Sequence, residues 1–280
     1  MPGDLRTDSP LRSTLSAIDV EDEWVEWRLA TADLAEDWTR CDDVDGAFVA
    51  EWERDAARHQ ERGHRRSDPR AAAAHVLGWY AELPGMMGGR MFAAARRVPR
   101  LDAGSLAFRL HPTEFWPDGI ALLDARFWCL ADDPSTGSPS ASVVGTEEEL
   151  ATLLRRQVRA HADTFLTWYR PGAKLARRNL VGAFFDGLDT GLWGGVDPGP
   201  AGRPGIRAAA ARVLPGGTEE FGAASTLHEL TDTRGRTHLT RERISCCHSY
   251  LLEEDDPCFT CPRTTARVRA HRAAEWDEGW

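Results

Sequence analysis

Lysine is almost missing from this chain. Lys174 stands alone among 34 basic residues, a bias that reflects GC-rich coding and not an arginine-based recognition code. An excess of basic charge is missing too. The formal net charge is -10, which counts against non-specific nucleic-acid binding, where a basic surface supplies most of the affinity. No stretch approaches the roughly eighteen consecutive apolar residues of a membrane-spanning helix, so no integral membrane segment is expected. The opening "MPGDLRTDSPLRSTLSAIDVEDEW" carries no apolar run behind a basic start, which argues against secretion and leaves the cytoplasm as the expected compartment. No G-x-G-x-x-G follows a strand and opens a helix, and neither a Walker motif nor a catalytic triad is legible. Cysteine is sparse for the length, with six in 280 residues, far below the density of a disulfide-stapled secreted scaffold.

What is present is enough apolar material for a substantial core: 42% hydrophobic residues, including 11 tryptophans. The first sixteen residues are polar and hold Pro2, Gly3 and Pro10, so a frayed arm is expected over 1–16. "EWERDAARHQERGHRR", from Glu51, is charged on most sides and reads as a solvated helix or connector. "DPRAAAAHVLGWYAEL" reads as a helix with Asp68 as N-cap and Pro69 at the first helical position, where a missing N–H costs nothing. "SLAFRLHP" and "GIALLDARFWCL" are short apolar runs around "TEFWPD", the pattern of strands about a turn. At Thr146, "TEEE" supplies a capping box with Glu149. Leu150, Leu153, Leu154, Val158, His161 and Phe165 continue at helical spacing.

"GAKLARRNLVGAFFDGL" predicts the next helix and "GIRAAAARVLP" a further short one, with the Gly/Pro-rich "WGGVDPGPAGRPG", residues 193–205, as a long surface loop between them. From Phe221 the chain is strand-like again: "STLHELTD", a turn at "TRGR", then "THLTRERISCCHSYLL". The fold class predicted is α+β, a helical layer packed on an antiparallel or mixed sheet, with a C-terminal hairpin carrying a cysteine knuckle. The boundaries are an arm over 1–16, a helix-rich α+β region over 17–220 and a C-terminal region over 221–280.

That last region holds the chemistry. "SCCHSYLLEEDDPCFTCPR" places Cys246 and Cys247 side by side, then Cys258 and Cys261 two residues apart, the pattern C-C-x10-C-x2-C. A disulfide between the adjacent pair would be strained, because their Cα atoms lie ~3.8 Å apart and disulfides usually join Cα atoms about 4.4 to 6.8 Å apart. A zinc site is a stronger reading, since "PCFTCP" is a good metal knuckle. A four-cysteine zinc site usually offers two such knuckles, however, and adjacent strand residues point to opposite faces. A two-iron cluster presents two separate iron atoms, so its ligands need not converge on one point.

The run "RISCCHSYLLEEDDPCFTCP" resembles the signature of the FhuF-type ferric-siderophore reductases. The strict match covers about twenty residues. The resemblance implies that Cys246, Cys247, Cys258 and Cys261 ligate a [2Fe-2S] cluster, and that 17–220 bind a ferric siderophore while 221–280 bind the cluster. It also implies a cytoplasmic oxidoreductase that passes one electron to siderophore-bound iron(III) and releases iron(II), with no catalytic side chain beyond the cluster. The electron donor expected is another protein, such as a ferredoxin or a flavoprotein reductase. The acids Glu253 to Asp256, "EEDD", lie inside the ten-residue gap and would favour the oxidised cluster.

Arg241, Arg243 and Arg263 flank the cysteines as candidates for attracting an anionic siderophore or an acidic donor, against the plainer alternative of solvated or salt-bridged surface arginines. His248 is a candidate to hydrogen-bond a cluster sulfur or replace a ligand; an ordinary strand histidine is the plainer reading. Tyr250 and Phe259 are candidates to shield the centre, and Trp116 and Trp193 to line a siderophore site, each against simple packing. Cys41 and Cys129 lack partner spacing and read as buried free thiols. A second function stays open: a siderophore-binding or siderophore-assembly protein with a structural cluster or zinc, because the helix-rich region also resembles a domain of siderophore synthetases. A third is a redox or iron sensor, against which stand the acidic charge and the lack of a nucleic-acid motif.

Overall fold

The computed structural model describes residues 9–21, 24–30, 34–194, 199–252 and 258–275. The fold is α+β, with helices packed on small antiparallel and mixed sheets. A four-stranded sheet runs in the order β1, β5, β4, β2, built from Glu26–Leu29, Pro117–Leu122, Leu106–Leu110 and Trp38–Arg40. β1 lies parallel to β5 and the other pairs are antiparallel. A three-stranded sheet orders β3, β6 and β7, from Val98–Pro99, Phe127–Leu130 and Ala141–Val144. The apolar run "GIALLDARFWCL" therefore feeds two sheets, breaking at Asp124, whose carboxylate accepts the N–H of Arg126.

The helices are α1 Pro10–Glu21, α2 Gly46–His64, α3 Pro69–Ala95, α4 Glu147–Trp168, α5 Arg177–Trp193, α6 Gly199–Val213 and α7 Ala266–Glu275. Local signals set their starts where the sequence placed them. Asp68 Oδ1 accepts the N–H of Arg70 at 2.8 Å with Pro69 opening α3. Thr146 and Glu149 close their capping box at the head of α4. None of the described helices is long and apolar enough to cross a membrane.

Two expectations need correction. The arm over 1–16 is helical from Pro10, because Leu11, Leu15 and Ile18 recur at helical spacing and are buried in the core. In the loop expected over 193–205, Trp193 is the last residue of α5 and Gly199 to Gly205 are the first turns of α6, with Pro204 inside; residues 195–198 lie outside those described. Arg203 helps to hold this Gly/Pro-rich start, donating to the Thr237 carbonyl at 2.7 Å.

The contact that positions the site is the crossing of α3 and α5. Both helices carry glycines four residues apart, Gly85 and Gly89 on one, Gly187 and Gly191 on the other. A Cβ at Gly85 would fall 2.4 Å from the Gly187 carbonyl carbon, and one at Gly191 2.4 Å from the Gly85 oxygen. The two backbones touch, as they can only where side chains are absent. His75, Trp79 and Glu82 on α3 are thereby brought to the same region as Asn179 and Asp186 on α5.

Candidate metal centre

Asp186 delivers the cysteines to this crossing. It is 2% exposed, and its carboxylate accepts the N–H of Ile244 at 2.9 Å, the N–H of Ser245 at 2.8 Å and the Ser245 hydroxyl. One turn on, Asp189 accepts from Ser225 Oγ at 2.6 Å and Thr226 Oγ1 at 2.8 Å. Two buried carboxylates on one helix thus fasten the chain on both sides of the hairpin formed by β8, His228–Thr231, and β9, Thr237–Thr240. Burial raises the Asp189 carboxyl above its ordinary value, opposed by Arg241 and by its hydroxyl donors.

The adjacent cysteines sit just beyond β9. Asn179 on α5 donates to the Cys246 carbonyl at 3.3 Å. After Cys247 the backbone turns at His248, which takes φ 60° and ψ 13°, the left-handed region that costs a non-glycine residue roughly 1–2 kcal/mol. The second pair is a tight knuckle: the N–H of Cys261 reaches the Cys258 carbonyl at 2.9 Å, and the N–H of Arg263 donates to Cys261 Sγ at 3.4 Å. The knuckle is tied to the first pair by the N–H of Arg243, which donates to the Thr260 carbonyl at 2.8 Å.

Arg269 on α7 closes the back of the knuckle. It is 1% exposed and donates to the carbonyls of Phe259 at 3.2 Å, Cys261 at 3.0 Å and Thr264 at 3.2 Å, with Glu242 Oε1 at 2.6 Å. The C-terminal helix folds back on the motif and acts through one guanidinium. Nothing in the local sequence singled out Arg269 from its neighbours.

The sulfurs of Cys247 and Cys258 are 3.7 Å apart. A disulfide would bring them to about 2.05 Å. A tetrahedral metal with metal–sulfur bonds of about 2.3 Å holds two thiolates about 3.8 Å apart, so this pair fits a shared metal atom. All six cysteines are free thiols. Among the described residues no group of three or more His, Cys, Asp and Glu side chains is drawn together to hold a single metal ion. The hydrogen bond shared by the two sulfurs holds Cys247 far below the ordinary thiol value against the opposing effect of burial, and His75, Arg243 and Ser249 act in the same direction. Cys258 is raised by the same bond and by burial. Burial raises Cys246, with Cys247 and Cys261 adding to the effect as neighbouring sulfurs.

A cleft of about 220 Å³ opens beside this sulfur pair, lined by His75, Trp79, Glu82, Arg243 and Ser249. Gly78 leaves room for Arg243, whose Nη2 would lie 3.4 Å from a Cβ there. Glu82 is raised above its usual range by burial, opposed by Arg243 and Arg241. Trp79 and Glu82 also line a second hollow of about 170 Å³ with Leu83, Met86 and Trp116. Trp116 borders in turn a broader hollow of about 540 Å³ that carries Asp19, Glu26, Glu114 and Asp118 around Arg109.

The three arginines named from sequence part company. Arg241 is 4% exposed and faces Asp186 at 3.4 Å, so it is an interior counter-ion and not a surface contact for a chelate. Arg243 does reach the cleft, while its Nε stays 3.8 Å from Asp186. Arg263 lays its guanidinium 4.1 Å over the Tyr250 ring. The His248 ring is engaged by Asn179 Nδ2 at 3.4 Å and by the Tyr250 hydroxyl at 3.5 Å. Trp193 is buried in the core, whereas Trp116 borders the hollows. Phe259 is buried, and Cys41 and Cys129 are buried away from the motif. Glu253 to Asp256 lie outside the described residues. His75, Trp79, Glu82 and Asp186, which surround the cysteines, carry no motif of their own. Comparisons of the chain with protein-family models, with curated proteins and with solved structures return no match.

Proposed function

We propose that this protein is a cytoplasmic ferric-siderophore reductase whose Cys246, Cys247, Cys258 and Cys261 hold a [2Fe-2S] cluster. The observation that carries the reading is the Cys247 to Cys258 sulfur pair, 3.7 Å apart at the wall of a cleft. The donor set is all thiol and the spacing suits a shared tetrahedral metal atom. When bound, such a cluster supplies reversible one-electron exchange near the protein surface.

The chain's own groups account for the rest. Arg243 places positive charge beside the thiolates and offsets part of their repulsion. The N–H of Arg263 and the hydroxyl of Ser249 lie against sulfur, the positions from which hydrogen bonds tune such a centre. Trp79 and Trp116 offer apolar ring faces along the hollows that lead to the sulfur pair. A ferric siderophore seated there accepts one electron, and a reduced ferredoxin or flavoprotein loses one. The hard oxygen ligands of the siderophore then hold iron(II) poorly and release it.

One observation favours a second reading. The Arg263 N–H donating to Cys261 Sγ is a feature that structural zinc knuckles share, which would make the protein a zinc-stabilised siderophore-binding or siderophore-assembly protein. Anaerobic purification with iron, zinc and acid-labile sulfide analysis separates the two. Two irons and two sulfides per chain, bleaching by dithionite and recovery of the oxidised spectrum on adding a ferric siderophore support the reductase. One zinc per chain without iron, after expression in iron-rich medium, overturns it.

A further inference from the structure

We infer that a relay of hydrogen bonds from Gln60 through His75 makes Ser249 a fixed donor to the Cys247 sulfur, so that His75 and Ser249 are positioning residues that set the electron affinity of the centre. The inference rests on the cluster reading proposed above. Its starting point is a run of four contacts, one of which joins residues 174 positions apart. The N–H of Asp68 meets Gln60 Oε1 at 3.4 Å. Gln60 Nε2 lies 3.3 Å from His75 Nδ1. His75 Nε2 lies 3.0 Å from Ser249 Oγ, and Ser249 Oγ lies 3.1 Å from Cys247 Sγ.

The direction of every bond follows from the first. A backbone N–H can only donate, so the Gln60 oxygen is the acceptor and its amide nitrogen is turned towards His75. The amide nitrogen can also only donate, so His75 Nδ1 must present its lone pair. A neutral imidazole that accepts at Nδ1 carries its proton on Nε2. That proton goes to Ser249 Oγ, whose own hydrogen is then left for Cys247 Sγ. Ser249 cannot reverse to serve His75 without placing two donors against each other.

The relay is held by its surroundings. Gln60 is buried at the end of α2, the His75 ring leans on Trp79 at 5.7 Å between ring centres, and Ser249 opens the single turn after the bend at His248. A hydrogen bond donated to a ligand sulfur stabilises the more negative, reduced centre and raises its potential. The bond falls on Cys247, one of the two sulfurs that line the cleft.

The test is a redox titration of anaerobically purified, cluster-loaded protein, with the midpoint potential read from the visible spectrum. Ser249→Ala is expected to shift the midpoint to a more negative value, and Ser249→Thr, which keeps the hydroxyl, to restore it. His75→Leu should shift it in the same direction by no more than Ser249→Ala. The double variant should shift it no further than Ser249→Ala alone, because the two act in series. An unshifted midpoint in loaded Ser249→Ala, or additive shifts in the double variant, overturns the relay while leaving the cluster reading intact. A wild-type protein without iron and sulfide overturns the cluster reading itself, and the relay with it.

Discussion

The carboxylate of Asp186 receives the backbone N–H of Ser245 at 2.8 Å, one residue before the first cysteine of the motif. Through that bond a helix fixed in the core decides where a loop-borne pair of thiols sits. The same carboxylate faces Arg241, and both side chains are almost fully enclosed. Burial lowers the Arg241 guanidinium, with the Arg243 charge adding to the effect, and Asp186 is the first of the groups that oppose it. Asp186→Ala should therefore cost ~3–5 kcal/mol, the usual penalty for orphaning one partner of a buried ion pair. It should also abolish metal loading. Chemical denaturation together with iron analysis checks both effects, and an Asp186→Ala protein that keeps its metal content would show that the anchor is not needed for the site.

Serine in place of any one motif cysteine should remove a ligand without removing volume. Cys247→Ser, Cys258→Ser, Cys246→Ser and Cys261→Ser are each expected to lower iron and acid-labile sulfide by at least half in the purified protein. Cys41→Ser and Cys129→Ser are the controls: both thiols are buried apart from the motif and act as small apolar groups. Those two variants should keep their metal while losing some stability. Equal metal content in Cys41→Ser and Cys258→Ser would remove the case for the motif as the ligand set.

The parts of this fold that the sequence discloses are the local ones. Thr146 with Glu149 and Asp68 with Pro69 state their helix starts within four residues, because a cap is a contact between near neighbours. The four cysteines raise the expectation of a metal site by spacing alone. Composition misled at two places: Pro10 and Ser9 look like a disordered arm until Leu11, Leu15 and Ile18 are counted at helical spacing, and Gly199 to Gly205 look like a loop until their helix packs on the core. The surroundings of the cysteines were out of reach for a different reason. His75 precedes Ser249 by 174 positions and Asp186 precedes Ser245 by 59, so their roles exist only after α3 and α5 have crossed.

That crossing supplies a third prediction. A methyl group at Gly85 would fall 2.4 Å from the Gly187 carbonyl carbon and also 2.4 Å from Leu188 N, and backbone atoms on a buried helix cannot step aside as a flexible side chain can. Gly85→Ala should cost about 3 kcal/mol or more through overpacking. Gly63→Ala is the contrasting substitution, since nothing lies within 4 Å of its Cβ position and alanine is the better helix former by roughly 1 kcal/mol. Thermal unfolding of the two variants should therefore move in opposite directions. A neutral Gly85→Ala would mean that α3 and α5 are free to separate, and the placement of His75 against Ser249 would lose its basis.

The last prediction concerns acid. His161 on α4 is fully enclosed, with Nδ1 at 2.7 Å from the Leu101 carbonyl and Nε2 at 3.0 Å from the Tyr80 hydroxyl. A carbonyl can only accept, so the proton sits on Nδ1 and the tyrosine donates to Nε2, an arrangement that only the neutral ring satisfies. Burial lowers the pKa from 6.5 to about 4, with the Leu101 bond and Asp102 pulling the other way. The unfolded chain thus binds a proton near pH 6.5 that the folded chain refuses until about pH 4. This contribution to stability is fully present above the unfolded value and is lost as the pH falls through that window, amounting to ~3 kcal/mol at its lower end. Denaturation midpoints of wild type and His161→Gln at pH 7.5 and pH 4.5 isolate it, because the carboxylates common to both proteins cancel in the comparison. The wild type should lose more stability than the variant between the two conditions, and an equal loss would mean that His161 is protonated within the fold.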